Sequence, residues 1–158
     1  MNKKVLIMIG VFALLLIAAG CTTDAPPAAE PQWVVTIEAD GETFEFSDLD
    51  AADMTAVDVE TNRTTRDGDP LDQIWTGVAL KDVLEAKGVT EYNSAIVEAS
   101  DGYSQEYSLE VINRDKTIIA WLLDGEEMSE DDGGPVQMIP KGETSNMFIK
   151  NLEKIIIQ

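Results

Sequence analysis

The sequence predicts a single α+β domain, a mixed β-sheet with short interspersed helices, over residues 33–158. Three observations predict this class. Short runs in which apolar and polar residues alternate, typical of strands, outnumber the helical patterns. The helical patterns last only about two turns, so each helix needs a sheet to pack against. One run, residues 117–123, is almost wholly apolar, as expected of a strand buried on both faces.

The domain is expected to open with a β-hairpin. Residues 33–39 and 43–46 alternate between apolar and polar side chains, and Asp40-Gly41 between them favours a tight turn. A serine at the end of the return strand, Ser47, is a preferred helix N-cap.

A short helix is expected after this hairpin. An acidic residue, Asp50, stands three positions after the serine, and such a pair satisfies free backbone N–H groups at a helix start. The helix is expected to end near Met54. Residues 56–61 alternate as a third strand, and the polar stretch 62–72 is expected to be a loop.

A second helix is expected from Leu80 onward. Val83 and Leu84 complete one apolar face with Leu80, and Gly88 is placed to end the helix in a left-handed conformation. A third short helix is expected to begin at Ser108 and to run through Asn113. The remaining strands are expected at residues 95–99, 103–107, 117–123, 136–139 and 147–157.

The composition excludes several kinds of site and partner. With no histidine, the chain has no Ser-His-Asp or Cys-His catalytic centre and no imidazole ligand for a metal or haem. Its single cysteine excludes an intramolecular disulfide and a thiolate zinc site. The 30 acidic residues outnumber the 11 basic ones and give a formal charge of −19, so no binding to nucleic acid is expected.

Residues 1–20 have the layout of a lipoprotein signal peptide. Lys3 and Lys4 form a basic start, an apolar run follows, and small residues lead to Cys21. This ending is similar to the lipobox of prokaryotic lipoproteins, whose cysteine is lipidated and becomes the new N-terminus, although Ala18 stands where leucine is usual. An uncleaved membrane anchor is the alternative, but the apolar run would span only about 24 Å as a helix, against ~30 Å of hydrocarbon.

Residues 21–32 are expected to be the lipidated cysteine and an extended tether, because they hold three prolines and small residues without an apolar pattern. From Cys21 onward the chain has nine basic and 30 acidic residues, a net charge of −21. Anionic headgroups repel such a domain, which suits one held off the membrane by a tether. The expected partner is the cell membrane, through the lipid anchor, and the expected location is its extracytoplasmic face.

Two acidic stretches are weighed as calcium loops, and neither matches an EF-hand. In residues 124–132, Met128 and Ser129 stand where ligands are needed, and residues 67–72 contain a proline and lack glycine at the sixth position. Solvated acidic loops are therefore expected, and no metal site is predicted. Asn62 begins a glycosylation sequon, and its modification stays open.

Five short motifs follow one another in an order typical of one family. They are Trp75-Thr76-Gly77-Val78-Ala79-Leu80, Asp101-Gly102-Tyr103, the strand ending in Asp124-Gly125-Glu126, Gly134-Pro135-Val136-Gln137 and Ile149-Lys150-Asn151-Leu152. This order resembles the molybdopterin-binding domain of the sulfite oxidase family. The resemblance covers residues 33–157 and implies a sulfite-oxidase-like fold and a molybdopterin cofactor.

The resemblance also implies candidate binding residues for a pterin-like or anionic small molecule. Lys150 matches the lysine that precedes the last strand in the family, and Asp101, Tyr103 and Trp75 lie in the other motifs. Each has an alternative: Lys150 as a surface lysine on an edge strand, Trp75 and Tyr103 as core aromatics. Other cations for an anionic group are Arg63, Arg66 and Lys141.

The departures from the family bear on activity. Family enzymes bind molybdenum through a cysteine on the strand before the Trp-Thr-Gly segment, and here that strand, residues 56–61, contains none. Cys21 lies in the signal region. The family also holds the pterin phosphate with histidine and several arginines, whereas this chain has no histidine and its only arginines are Arg63, Arg66 and Arg114. We therefore expect a non-catalytic binding or accessory module. The alternatives are an active molybdopterin-dependent oxidoreductase, and a structural or adhesion lipoprotein that uses the fold as a scaffold.

Overall fold

The computed structural model describes residues 29–64 and 67–158. The predicted signal peptide, Cys21, most of the tether and Arg66 lie outside the described residues. The strands are β1 (Val34–Ala39), β2 (Glu42–Ser47), β3 (Val57–Thr64), β4 (Pro70–Ala79), β5 (Ser94–Ala99), β6 (Ser104–Ser108), β7 (Thr117–Leu123), β8 (Glu126–Glu127), β9 (Gln137–Pro140) and β10 (Leu152–Ile157). The helices are α1 (Asp48–Ala51), α2 (Leu80–Ala86) and α3 (Leu109–Ile112), with a 3₁₀ turn at Ser145–Met147.

The described strands form two mixed or antiparallel sheets. The first sheet has the order β2-β1-β10-β5-β6, in which β1 and β10 are parallel and the other neighbours antiparallel. The second sheet has the order β3-β4-β7-β8, and β9 also pairs with β7. With only short helices beside the sheets, the predicted α+β class is confirmed.

The opening hairpin and first helix form as the sequence predicts. Asp40 and Gly41 both have positive φ, 51° and 81°, which is the turn geometry that matches the twist of two paired strands. The Ser47 hydroxyl accepts a hydrogen bond from the Asp50 N–H, and the Asp50 carboxylate accepts one from the Ser47 N–H. This reciprocal capping satisfies backbone N–H groups at the start of α1, which is only four residues long.

The predicted loop over residues 62–72 is wrong. β3 continues to Thr64 and pairs with β4, which begins at Pro70, so a long hairpin replaces most of the loop. Its outer residues lack the usual alternation because Leu71, Asp72 and neighbouring residues are exposed on both faces. A hairpin that projects beyond the core has no buried face, and its strands therefore carry no period-two pattern.

Two smaller differences concern the C-terminal half. The last strand begins at Leu152 rather than at residue 147, because a 3₁₀ turn and an isolated bridge between Met138 and Ile149 precede it. The acidic stretch contains a two-residue strand, β8, which pairs with the end of β7. The rest of that stretch has no regular structure beyond turns.

Two apolar clusters hold the sheets together. The larger contains residues of both sheets and of α2, which packs against β4 and β7 and contributes its predicted apolar face, Leu80, Val83 and Leu84. The smaller lies on the second sheet around Trp75 and Phe148. Within the described residues, no helix is long and apolar enough to span a membrane.

Candidate functional site

A cavity of about 320 Å³ opens where parts of both sheets meet. The first sheet contributes the β5–β6 turn, and the second contributes the outer part of β3 and the start of β9. The segment that connects β9 to β10 closes the remaining side. The lining residues are Arg63, Ala99, Asp101, Tyr103, Gln137, Ser145, Asn146, Phe148, Lys150 and Asn151. Three of the four predicted binding residues, Lys150, Asp101 and Tyr103, therefore come together.

Arg63 supplies a partly buried positive charge. Its guanidinium lies 4.9 Å from the centre of the Phe148 ring and 6.0 Å from that of Trp75, and its Nη2 donates to the side chain of Gln73. Its Nε is buried and has no hydrogen-bond partner in the part of the chain that the structure describes. Burial lowers the pKa of Arg63, but an arginine remains charged at neutral pH. Such a buried donor takes its acceptor from an ordered water or from a ligand.

Lys150 supplies a second charge at the rim. It is exposed, and among residues 29–64 and 67–158 it forms no hydrogen bond or ion pair. Hydrogen bonds from the hydroxyl and N–H of Ser129 hold the pKa of Asp132 below its usual range, and the charge of Lys150 acts in the same direction. It does not lie on an edge strand, because β10, which follows it, is central in the first sheet.

Asp101 and Tyr103 form the part of the cavity wall that the β5–β6 turn supplies. The Asp101 carboxylate accepts a hydrogen bond of 2.9 Å from the Tyr103 N–H and so fixes the β5–β6 turn. The Tyr103 hydroxyl donates to the Asn146 carbonyl at 2.7 Å and accepts from Gln105 at 3.0 Å. Tyr103 is 42% exposed and its hydroxyl is already occupied by these two hydrogen bonds, so its ring is the part left for a ligand.

Trp75 does not line this cavity. It is 2% exposed in the smaller core cluster, and its Nε1 donates to the Thr61 hydroxyl at 2.9 Å. Its contact with the site is indirect, through the Arg63 guanidinium. This placement favours the core role over the ligand-stacking role. Of the other predicted cations, Lys141 is absent from the lining and Arg66 lies outside the described residues.

Sequence reasoning missed several lining residues. Gln137 is 1% exposed, and its amide donates to the Asp132 carbonyl at 2.9 Å and to the Met128 sulfur at 3.3 Å. In the sequence, Phe148 is indistinguishable from an ordinary core residue. Nothing in the sequence marks Asn151 as a site residue except that it follows Lys150. Gln137 belongs to the Gly134-Pro135-Val136-Gln137 motif, which was the available signal for it.

Other cavities in the described structure are less suited to an anion. A larger cavity, of about 610 Å³, is lined by Trp33, Glu130, Asp131 and Glu153 among others and has no basic side chain. In the described residues, no group of three or more histidine, cysteine, aspartate or glutamate side chains is arranged to hold a metal ion. The cavity with Arg63 and Lys150 is therefore the candidate site.

Comparison with known proteins identifies the family. The model of the oxidoreductase molybdopterin binding domain matches residues 24–158, most of the chain. The chain belongs to this family. A nitrate reductase [NAD(P)H] from Betula pendula is 30% identical over an alignment of 98 residues, and the match covers 53% of this chain and 11% of that protein. The chain thus corresponds to a small part of that relative.

A solved structure confirms the sulfite-oxidase-like fold of this family member. The sulfane dehydrogenase SoxCD from Paracoccus pantotrophus superimposes with a TM-score of 0.70 at 15% sequence identity. The match covers 82% of this chain and 39% of the other. At this identity the likeness concerns the fold, and the chain again spans less than half of its relative.

The residues of the site fit one end of the family's cofactor and not the other. The two cations that line the cavity, Arg63 and Lys150, suit the phosphate of a molybdopterin. None of the described residues that line the cavity carries a thiol, and the chain's only cysteine is Cys21 in the predicted signal region. The donor set therefore does not match a molybdenum centre that takes a protein thiolate.

Proposed function

We propose that this chain is a non-catalytic binding or accessory module of the molybdopterin-binding family, tethered to the extracytoplasmic face of the cell membrane through Cys21. Its ligand is an anionic, pterin-like small molecule held in the Arg63–Lys150 cavity. The observation that carries this proposal is that the side chains of Arg63 and Lys150 line one cavity and that, in the part of the chain that the structure describes, neither forms an ion pair.

The charge distribution supports an anionic ligand. The chain from Cys21 onward has a net charge of −21, so an anion approaching most of the surface is repelled. Four of the other described basic residues form ion pairs: Lys81, Lys87, Arg114 and Lys154. Arg63 and Lys150 leave their charge available at one cavity, and the exposed Tyr103 ring beside them offers a face for a flat ring.

Lys150→Gln tests the ligand site. Loss of a charge-assisted hydrogen bond is expected to weaken binding by on the order of 1.5–3 kcal/mol, roughly tenfold to 150-fold in Kd. Because Lys150 is exposed, the free energy of unfolding should change by less than ~0.5 kcal/mol. Isothermal titration calorimetry with 6-carboxypterin and with inorganic phosphate measures the Kd. Urea unfolding measures the free energy of unfolding.

Lys116→Gln is the matched control, because Lys116 is an exposed lysine without an ion pair that does not line the cavity. It should bind both probes as the wild type does. Equal affinity of the wild type and Lys150→Gln would show that Lys150 is a surface lysine outside the ligand site. Binding of phosphate alone would place the specificity in the charge rather than in the ring.

The alternative is an active molybdopterin-dependent oxidoreductase, and the family match favours it. The nitrate reductase and the sulfane dehydrogenase to which the chain is similar are both named as redox enzymes. Metal analysis separates the two functions. Stoichiometric molybdenum in protein purified from a host that makes the cofactor would support the oxidoreductase, whereas ligand binding without molybdenum would support the binding module. A scaffold or adhesion lipoprotein would bind neither probe.

Cys21→Ser tests the membrane anchor. Only the thiol can form the thioether to the lipid, so the serine variant is expected to lose lipid attachment and signal processing. Mass spectrometry of the N-terminal peptide and fractionation of native membranes measure these two effects. If the N-terminal peptide changes in mass only by the exchange of cysteine for serine, and the variant stays in the membrane, the lipoprotein proposal is contradicted. The uncleaved anchor would then be the explanation.

A further inference from the structure

The side chain of Lys150 lies against the loop that follows β8. Gly133 in this loop is buried and has a φ of +93°. A Cβ placed on Gly133 would lie 2.6 Å from Cδ, 2.7 Å from Cγ and 2.8 Å from Cβ of Lys150. The aliphatic stem of Lys150 therefore occupies the space that any other residue at position 133 would need.

Backbone hydrogen bonds join the same two segments. The N–H of Asn151, the residue after Lys150, donates to the Gly133 carbonyl at 2.6 Å. Asn151 itself has a φ of +47°, an unusual conformation that this hydrogen bond helps to hold. The approach of Lys150 to Gly133 is therefore fixed at the backbone and not only at a flexible side chain.

The loop is in turn held by its own contacts. The Gly133 N–H donates to the Glu130 carbonyl at 2.9 Å, and the Gly134 N–H donates to the Ser129 carbonyl at 2.8 Å. A buried amide from β9, that of Gln137, donates to the Asp132 carbonyl at 2.9 Å. The loop that the sequence predicts as a solvated acidic segment thus presents a rigid backbone surface at Gly133.

We propose that Gly133 is a positioning residue for Lys150, an inference that rests on the anion-binding function proposed above. The missing side chain lets the lysine stem lie along the loop, and this contact restricts the ammonium to the cavity that also holds Arg63. A lysine stem has several freely rotating bonds, and restricting them before binding reduces the entropy lost when the ligand arrives. The acidic loop thereby sets the geometry of a cationic site without providing a ligand contact itself.

A double-mutant cycle without ligand tests the contact. Gly133→Ala is expected to lower the Tm more than Gly142→Ala, because Gly142 has nearly the same φ, +95°, but its added Cβ would meet only Arg114 Nη1 at 3.7 Å. In a Lys150→Ala background, which removes Cγ and Cδ, at least half of that excess should disappear. An excess of the same size in both backgrounds would overturn the proposal.

Titration with 6-carboxypterin and inorganic phosphate tests the role in binding. Gly133→Ala should raise the Kd of the probe that the wild type binds about as much as Lys150→Gln does, and Gly142→Ala should leave it unchanged. The combined variant Gly133→Ala with Lys150→Gln should bind no more weakly than Lys150→Gln alone, because both changes remove the same contact. Wild-type affinity in Gly133→Ala would overturn the positioning role and leave the proposed function standing.

Two further outcomes separate the proposals. If the wild type binds neither probe, the anion-binding function fails, while the ligand-free cycle still reports whether Gly133 fixes Lys150. If Gly133→Ala does not fold, nuclear Overhauser contacts in the wild type decide. Contacts between Gly133 Hα and the Lys150 side-chain protons support the proposal, and their absence overturns it.

Discussion

Gly77→Ala is expected to destabilise the domain by about 3 kcal/mol or more, a large share of the ~5–15 kcal/mol that holds a domain together. Gly77 lies in β4, paired with Ala120 of the neighbouring β7. A Cβ at this position would lie 2.7 Å from the Ala120 Cα and closer still to the Ile119 carbonyl oxygen. These are backbone atoms of a central strand, so no side-chain rotation relieves the overlap.

Urea unfolding of the wild type and the variant measures this effect. Gly125→Ala in the β7–β8 turn is the control, because its added Cβ meets nothing within 4 Å and only its φ of +84° is unfavourable. That strain should cost about 1–2 kcal/mol. If the two variants lose the same stability, the close approach of β4 and β7 at Gly77 is not what limits substitution there.

Trp75→Ala is expected to cost about 3–5 kcal/mol, the range for removing a large buried aromatic side chain. Trp75 fills the smaller core cluster, and its Nε1 bonds to the Thr61 hydroxyl. Trp75→Phe keeps most of the packing and loses the hydrogen bond, which should cost about 1–3 kcal/mol. Differential scanning calorimetry and denaturant unfolding measure both variants.

The Trp75→Phe variant also decides between the core and ligand-stacking roles of Trp75. Because Trp75 is 2% exposed and does not line the cavity, Trp75→Phe should bind 6-carboxypterin as the wild type does. Tyr103, whose ring is 42% exposed at the cavity, is the comparison: Tyr103→Ala should weaken binding of the pterin more than binding of phosphate. Loss of pterin affinity in a folded Trp75→Phe protein would restore the stacking role.

Local signals predicted most elements because their physical causes are local. The Asp40-Gly41 turn depends on backbone conformations that these residue types adopt readily, and the Ser47–Asp50 cap is complete within four residues. The apolar face of α2 follows from helical spacing alone. The outer part of the β3–β4 hairpin was not predicted. It projects from the core, so its residues do not alternate between buried apolar and exposed polar side chains.

The candidate site was predictable in part. The resemblance to a family pointed to Lys150, Asp101 and Tyr103, and the structure brings these three to one cavity. It also pointed to Trp75, which lies behind the site in the core. Arg63 was one of several candidate cations, and only the packing of β3 against Phe148 distinguishes it from the others.

The sequence by itself determined the α+β class, the family resemblance, the absence of histidine and the confinement of its one thiol to Cys21. These are properties of residue type and of short-range spacing. Only the tertiary structure decided that Arg63 and Lys150, 87 positions apart in the chain, share a cavity and that Gly133 supports the lysine. Contacts of this kind depend on how two sheets and their connecting loops pack, because distances between residues far apart in sequence are set by the fold and leave no periodic signal.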